Sequence, residues 1–279
     1  MQKLFLLFTV LLLCSLEAKE NLKTYRFGYI NSSMSNYSPK DLKITMDLWM
    51  QEVTKNLGNV EMVFYSNPNQ AAKDLQVGYI DFLSAFPIVF VKYFNRSEFS
   101  DGFTGKYKNP EDNRFILVVK RGVTQEHLQS IQNVKVGIQR NDEIMDMFSN
   151  IYFKHPKIVK YDNRSRVILE LFFSKLDVAI VPLRTYSLAK ELNPQVAKRT
   201  KILLKTDFVS NALGYYRKGI SQEDKDYIYK TGVELFNTTK GQQMMDIYKI
   251  ETLVHTQVSD LDNASKLYEE YKKQKEGQK

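Results

Sequence analysis

Cysteine is all but absent: Cys14 is the only one among 279 residues. Disulfide staples, and the small extracellular folds that depend on them, are therefore excluded. Histidine is scarce as well, and His127, His155 and His255 lie far apart, without the paired spacing of metal ligands. No G-x-S-x-G elbow, H-E-x-x-H, Walker loop or G-x-G-x-x-G occurs, so a nucleophilic, metal or nucleotide enzyme has no motif behind it. A carboxylate dyad leaves no spacing signature, and that is the only opening for an enzyme. Forty basic residues against 32 acidic ones give a net charge of +8, but the lysines are scattered and no basic run is interleaved with aromatics. Nucleic acid is not an expected partner; an anionic ligand or an anionic membrane surface is compatible with the excess.

What is present begins with an apolar N-terminus. Lys3 precedes a run from Leu4 to Leu13, then Cys14-Ser15-Leu16-Glu17-Ala18. This is the pattern of a secretory signal over residues 1–18, cut after Ala18, and it falls short of the roughly 20 apolar residues a spanning helix needs. Lipid attachment at Cys14 is the rival reading, and it meets Leu13 where a small residue is wanted. The expected product is a cysteine-free periplasmic chain, a soluble monomer held by ordinary apolar cores, in one large or two medium domains. Six N-x-Ser/Thr triplets, at Asn31, Asn36, Asn95, Asn163, Asn237 and Asn263, are set aside because the short signal has a bacterial look.

A repeated unit organises the rest. Tyr25 to Ile30 reads as a strand. A helix follows, with Ser38 as N-cap, Pro39 in the first turn, apolar Leu42, Met46, Trp49, Val53 and Leu57 at helical spacing, and Gly58 at its end. Val60 to Tyr65 is a second strand, Asn67 caps a short helix, and Tyr79 to Leu83 is a third strand entered through Asp81. The order recurs: strand Val134–Ile138, a helix capped by Asn141 or Asp142, strand Lys157–Tyr161, helix Asn163–Phe173, and strand Leu176–Val181 entered through Asp177. Both copies read βαβαβ with near-continuous apolar strands, which suits parallel sheets covered on both faces. Arg114–Lys120 and Lys205–Arg217 read as extended crossovers, Ser221 caps a helix running to Phe236, helical sequence resumes near Lys240, and the charged tail after Tyr271 is expected to fray. The expected organisation is lobe one from residues 21–112 plus 211–279 and lobe two from 113–210, facing across a cleft.

In this order FGYI, LQVGYIDFLSAFP, VKVGIQR after a crossover strand, and SKLDVAIVP resemble the type 2 periplasmic solute-binding proteins of ABC transporters, within them the phosphate/phosphonate-binding branch. The likeness spans nearly the whole chain after the signal. It implies an α/β fold of two lobes, with mixed, mostly parallel sheets joined by two crossover strands. It further implies a non-enzymatic role without cofactor, in which a small solute is captured between the lobes and delivered to an inner-membrane permease. Closure on the solute shifts an open–closed equilibrium. One departure bears on the ligand. Where the branch resembles a Ser/Thr-rich turn at a helix N-terminus, this chain has Arg140-Asn141-Asp142-Glu143. Carboxylates facing the cleft would oppose a doubly charged anion and favour a zwitterion, with Arg140 on its anionic end; otherwise they serve as helix caps.

Position at strand ends nominates a ligand set: Tyr29, Asn31, Tyr65, Ser66, Ser84, Phe86, Arg140, Asn141, Tyr161, Asn163, Arg184 and Asn211. The aromatics among them form either a wall for the solute or packing beneath the loops. Arg140 and Arg184 are the candidate cations, being fixed forks of donors. Asp81 and Asp177 are expected to brace turns rather than touch solute. Two other functions remain open to this sequence: a ligand-sensing protein acting with a membrane receptor, and an exported enzyme.

Overall fold

The computed structural model describes residues 23–30, 59–248 and 250–276. The expected leader, the Ser38–Gly58 helix, Asn31 and the last three residues lie outside them. In chain order the strands are β1 Tyr25–Ile30, β2 Val60–Tyr65, β3 Phe82–Ala85, β4 Phe99–Ser100, β5 Gly102–Tyr107, β6 Arg114–Lys120, β7 Lys135–Gln139, β8 Lys157–Tyr161, β9 Val178–Pro182, β10 Thr200–Val209, β11 Leu213–Arg217 and β12 Ile250–Thr256. The helices, numbered among the described residues, are α1 Pro68–Gln76, α2 Pro87–Tyr93, α3 Gln125–Ser130, α4 Glu143–Tyr152, α5 Arg164–Phe172, α6 Leu183–Leu192, α7 Pro194–Arg199, α8 Gln222–Leu235, α9 Thr239–Tyr248 and α10 Asp262–Glu276.

Two five-stranded sheets carry the repeat. One has the order β2-β1-β3-β11-β4 and the other β8-β7-β9-β6-β10. Within each repeat the three strands are parallel, and the strand arriving from the other half joins antiparallel: β11 against β3, β6 against β9. The chain leaves the first sheet through β6 and returns to it through β11. The continuous apolar strands are buried on both faces, and Ile116 to Val119 in β6 have no exposed surface. Helices α1, α2 and α10 cover one face of the first sheet, with α8 and a β5–β12 ribbon on the other. In the second sheet α3 and α4 cover one face and α5, α6 and α7 the other.

The two copies share their fastening. The Arg26 amide donates to the Asp81 carboxylate (3.0 Å) and the Asp81 amide to the Arg26 carbonyl (2.9 Å). Lys135 and Asp177 repeat both bonds at 2.8 and 3.0 Å. The aspartates therefore brace the start of the third strand to the start of the first, at the end of each sheet away from the strand C-termini. Gly28 and Gly137 occupy equivalent places in the first strands. A Cβ on Gly137 would lie 2.3 Å from Leu176 Cδ1, and one on Gly28 would lie 3.0 Å from Leu83 Cδ1, so each glycine lets a helix-side apolar layer close on the sheet.

Several sequence expectations shift. The third strands begin later than read, at Phe82 and Val178, because the residues before them turn around the aspartate brace. Lys205–Arg217 is two strands in different sheets, with the crossing at Ser210–Ala212. After α9 the chain forms β12 before its last helix, and that helix extends past Tyr271 to Glu276. Its anchor is apolar: Leu267 is buried, and Tyr268 and Tyr271 pack against the same cluster. No helix among the described residues is long and apolar enough to cross a membrane.

Candidate functional site

In open α/β sheets the usual ligand crevice lies beyond the strand C-termini, where strand order reverses. Here those ends belong to β3, β7, β8 and β9, and each leads directly into a helix. The N-terminal turns of α2 and α4 meet across a cavity lined by Phe86, Pro87 and Ile88 from the first half and Asn141 to Ile144 from the second. Phe115, Val209 and Ser210 from the crossovers complete it. Its volume is about 20 Å³, room for a single water. The lobes are thus in contact, and a solute of several heavy atoms enters only if they part.

Beneath this cavity lies a buried charge pair. The Arg164 guanidinium grips Asp142 through one edge, Nη2 to Oδ1 at 2.6 Å and Nε to Oδ2 at 3.2 Å. Its Nη2 also donates to Ser210 Oγ at 2.8 Å, and its carbon lies 5.5 Å from the centre of the Phe115 ring. The side chains of Arg164 and Asp142 are 7% and 2% exposed, so neither charge is solvated. Burial pushes the Asp142 carboxyl pKa up, against the pull of the Arg164 charge and hydrogen bonds. Helices α2 and α4 are also linked by Lys92, in the last turn of α2, and Glu143, 2.5 Å apart. Burial works against the Lys92 charge, but the hydrogen bond and charge of Glu143 outweigh it and raise the Lys92 pKa.

These contacts revise the reading of the turn after β7. Asp142 stands at the N-cap of α4 but its side chain makes no cap bond; it goes to Arg164 instead. Glu143 goes to Lys92. Both carboxylates line the cavity, and each is paired with a cation that offsets its charge toward a simple anion.

The nominated residues separate into groups. Phe86 and Asn141 line the cavity. Asn211 adjoins it beside Ser210, and its Oδ1 is buried without a hydrogen-bond partner among the described residues. Arg140 is turned to the exposed side and pairs with Asp162 at 3.1 Å. Strand alternation explains this, since Gln139 at the end of β7 is buried and the next side chain faces the opposite way. Asn163 caps α5, accepting from the Arg166 amide at 2.8 Å. Tyr161 is half-buried at the end of β8, with the Arg166 guanidinium 5.6 Å from its ring centre. The Tyr65 hydroxyl donates to Asp74 at 2.8 Å, while Tyr29 is packed in the core with its ring 6.0 Å from that of Phe64. Ser66 is exposed after β2, Ser84 lies in β3 between β1 and β11, and Arg184 is exposed in the first turn of α6.

Arg164, Ser210 and Lys92 were not nominated. A signal for Arg164 does exist. The turn Tyr161-Asp162-Asn163-Arg164 repeats Tyr65-Ser66-Asn67-Pro68, with arginine replacing the proline favoured at a first helical position. A cation there opposes the helix dipole, so its presence marks a local partner. Among the described residues no group of three or more His, Cys, Asp or Glu is placed to hold a metal ion.

Two mixed sheets joined by two crossovers, with helix N-termini meeting at a cleft, define a type 2 periplasmic binding protein. The sequence profile described as "ABC transporter, phosphonate, periplasmic substrate-binding protein" matches residues 32–261, and the chain belongs to that family. It is a solute-binding protein of an ABC uptake system. No curated protein matches it in sequence. Solved structures match its fold. A binding protein component of an ABC phosphonate transporter from Pseudomonas aeruginosa is 11% identical, with 90% of this chain and 87% of that one covered and a TM-score of 0.61. PhnD1 from Prochlorococcus marinus, in complex with methylphosphonate, is 13% identical over 91% of this chain and all of its own, with a TM-score of 0.62. The periplasmic aliphatic sulphonate binding protein SsuA from Escherichia coli is 13% identical, with 88% and 92% covered and a TM-score of 0.55.

Proposed function

We propose that the chain captures a small phosphonate- or phosphate-like solute, anionic or zwitterionic, in the cleft between the N-terminal turns of α2 and α4. The observation that carries this is the cavity beyond the C-terminal ends of β3 and β7, lined from the two halves by Phe86 and Asn141 and from the crossover by Ser210. The N-terminus of α4 suits a tetrahedral oxyanion, and Arg164 neutralises the Asp142 carboxylate that would otherwise repel one there. Phe86, Asn141, Ser210 and Asn211 are the contacts proposed around it, with Tyr161 and Arg184 at the rim. The relative crystallised with methylphosphonate supports the ligand class, and so does the sulphonate binder, whose solute carries a similar head group. The lobes proposed are residues 21–112 with 211–279, and 113–210. The protein acts as a periplasmic monomer, freed of residues 1–18 and delivering its solute to a permease without chemistry of its own.

A thermal-unfolding screen with methylphosphonate, aminoethylphosphonate, phosphate and an aliphatic sulfonate tests the class. A true ligand at a hundredfold excess over its Kd adds about 2.7 kcal/mol to stability. At least one phosphorus oxyanion is expected to do so, and to do so more than the sulfonate. A chain stabilised by none of them would overturn the proposal.

A further inference from the structure

The outer side of the second half carries an apolar patch that the solute site does not use. Helices α5 and α6 both start at the cleft-side ends of their strands and run back along the same sheet face, packed on one another. Leu169 and Leu188 each stand sixth in this run, and Phe173 and Leu192 one turn further on. All four project outward, at 45%, 48%, 64% and 78% exposure respectively for Leu169, Leu188, Phe173 and Leu192. Their helices bury the opposite stripe, Val167, Ile168 and Leu171 in α5 and Tyr186 in α6. Four large apolar side chains stand exposed in two tiers on adjoining helices, and a large exposed apolar surface is rarely carried without use.

Cations gather around the tier farther from the cleft. Lys120 bonds Ser174, Arg121 donates to the Ala197 carbonyl at 3.0 Å, and the Arg199 guanidinium lies 5.2 Å from the Phe172 ring centre. Lys175 and Lys198 are exposed beside them. The acids at this end are Glu170, paired with Lys175 at 3.0 Å, Glu191, and Asp177, which accepts from the Lys135 amide. Cations outnumber acids, so a second copy placed against this rim meets like charge. Protein interfaces are depleted in lysine, whereas outward-pointing Leu and Phe within a lysine and arginine rim is the pattern of helices that lie on membranes.

We infer that this face rests on an anionic phospholipid surface, holding the protein at the membrane between deliveries. Phe173 and Leu192 enter the acyl boundary, and the cations meet headgroup phosphates. The attraction is short-ranged and screened by salt.

The test is co-sedimentation of the chain freed of residues 1–18 with vesicles of phosphatidylethanolamine and phosphatidylglycerol, and with vesicles of phosphatidylcholine alone. Removing the apolar run Leu4–Leu13 keeps it from binding the vesicles itself. Binding is expected to the anionic vesicles, to weaken at high salt, and to fall at least about tenfold with Phe173→Ser plus Leu192→Ser, as the loss of two buried apolar side chains implies. Both positions are exposed, and unchanged circular dichroism and thermal unfolding confirm that the variant folds. Equal binding by the variant, or no preference for anionic vesicles, overturns the inference. Sedimentation velocity showing a dimer that the two substitutions abolish assigns the face to a second copy and overturns it too. Binding to native membranes but not to lipid vesicles assigns the face to a protein partner and likewise overturns the inference.

Discussion

Replacing Arg164 by Met is expected to destabilise the fold by about 3–5 kcal/mol at neutral pH, because Asp142 is left buried without its counter-charge. Asp142 is 3% exposed, so water does not take over the role of the guanidinium. The pH dependence follows from the direction of its shift. Burial already raises the Asp142 pKa in the folded chain, and losing Arg164 raises it further. Below the unfolded carboxylate value the group is protonated in both states and costs nothing; the cost grows as pH rises toward the folded pKa. The deficit of the Arg164→Met chain is therefore expected to shrink as pH falls from neutral to about 4. Adding Asp142→Leu, which removes the stranded charge, is expected to restore most of the loss at neutral pH. Urea unfolding of the three chains at both pH values measures this. A single variant as stable as wild type at neutral pH would mean that the pair is not buried as described.

Met147→Asp is expected to open the cleft. Met147 lies in α4 on the second sheet, yet it is buried in the cluster of the first half with Val89, Leu261 and Leu267. Ile144, Phe148 and Ile151 pack against that same cluster. The last helix extends the seam, with Gln274 donating to the Asn150 carbonyl at 2.9 Å. A carboxylate forced into this seam costs several kcal/mol unless it reaches water, and parting the halves gives it water. Small-angle scattering should then show a larger radius of gyration, while circular dichroism stays near wild type. Unchanged scattering would show that the seam does not govern closure.

The sequence carried the repeat well because the repeat has chemical punctuation. The aspartates opening both third strands, the glycines within both first strands and the asparagines capping α1 and α5 are local requirements, so each leaves a residue type at a fixed place. The β5–β12 ribbon was harder to read. GFTGKY and IETLVHT are short and half-polar, and they pair across a long stretch of chain. The site was legible only in part for a related reason. Strand ends indicate where a cleft lies, but which side chain at each end turns inward depends on where the strand stops. One residue separates buried Gln139 from exposed Arg140, and one separates the cap Asn163 from the buried Arg164. The carboxylates of the turn after β7 were noticed from sequence, whereas their partners Arg164 and Lys92 lie elsewhere in the chain and only the fold brings them together.

Capture of a phosphorus oxyanion in the cavity between α2 and α4 is the central claim. Its most direct test is calorimetric titration of methylphosphonate into the wild-type chain and into Asn141→Asp, which sets an extra carboxylate in the cavity lining. The prediction is one solute bound per wild-type chain, and binding at least about tenfold weaker in the variant, a loss of roughly 1.4 kcal/mol. Equal affinity in the two chains would contradict the placement of the solute in this cavity.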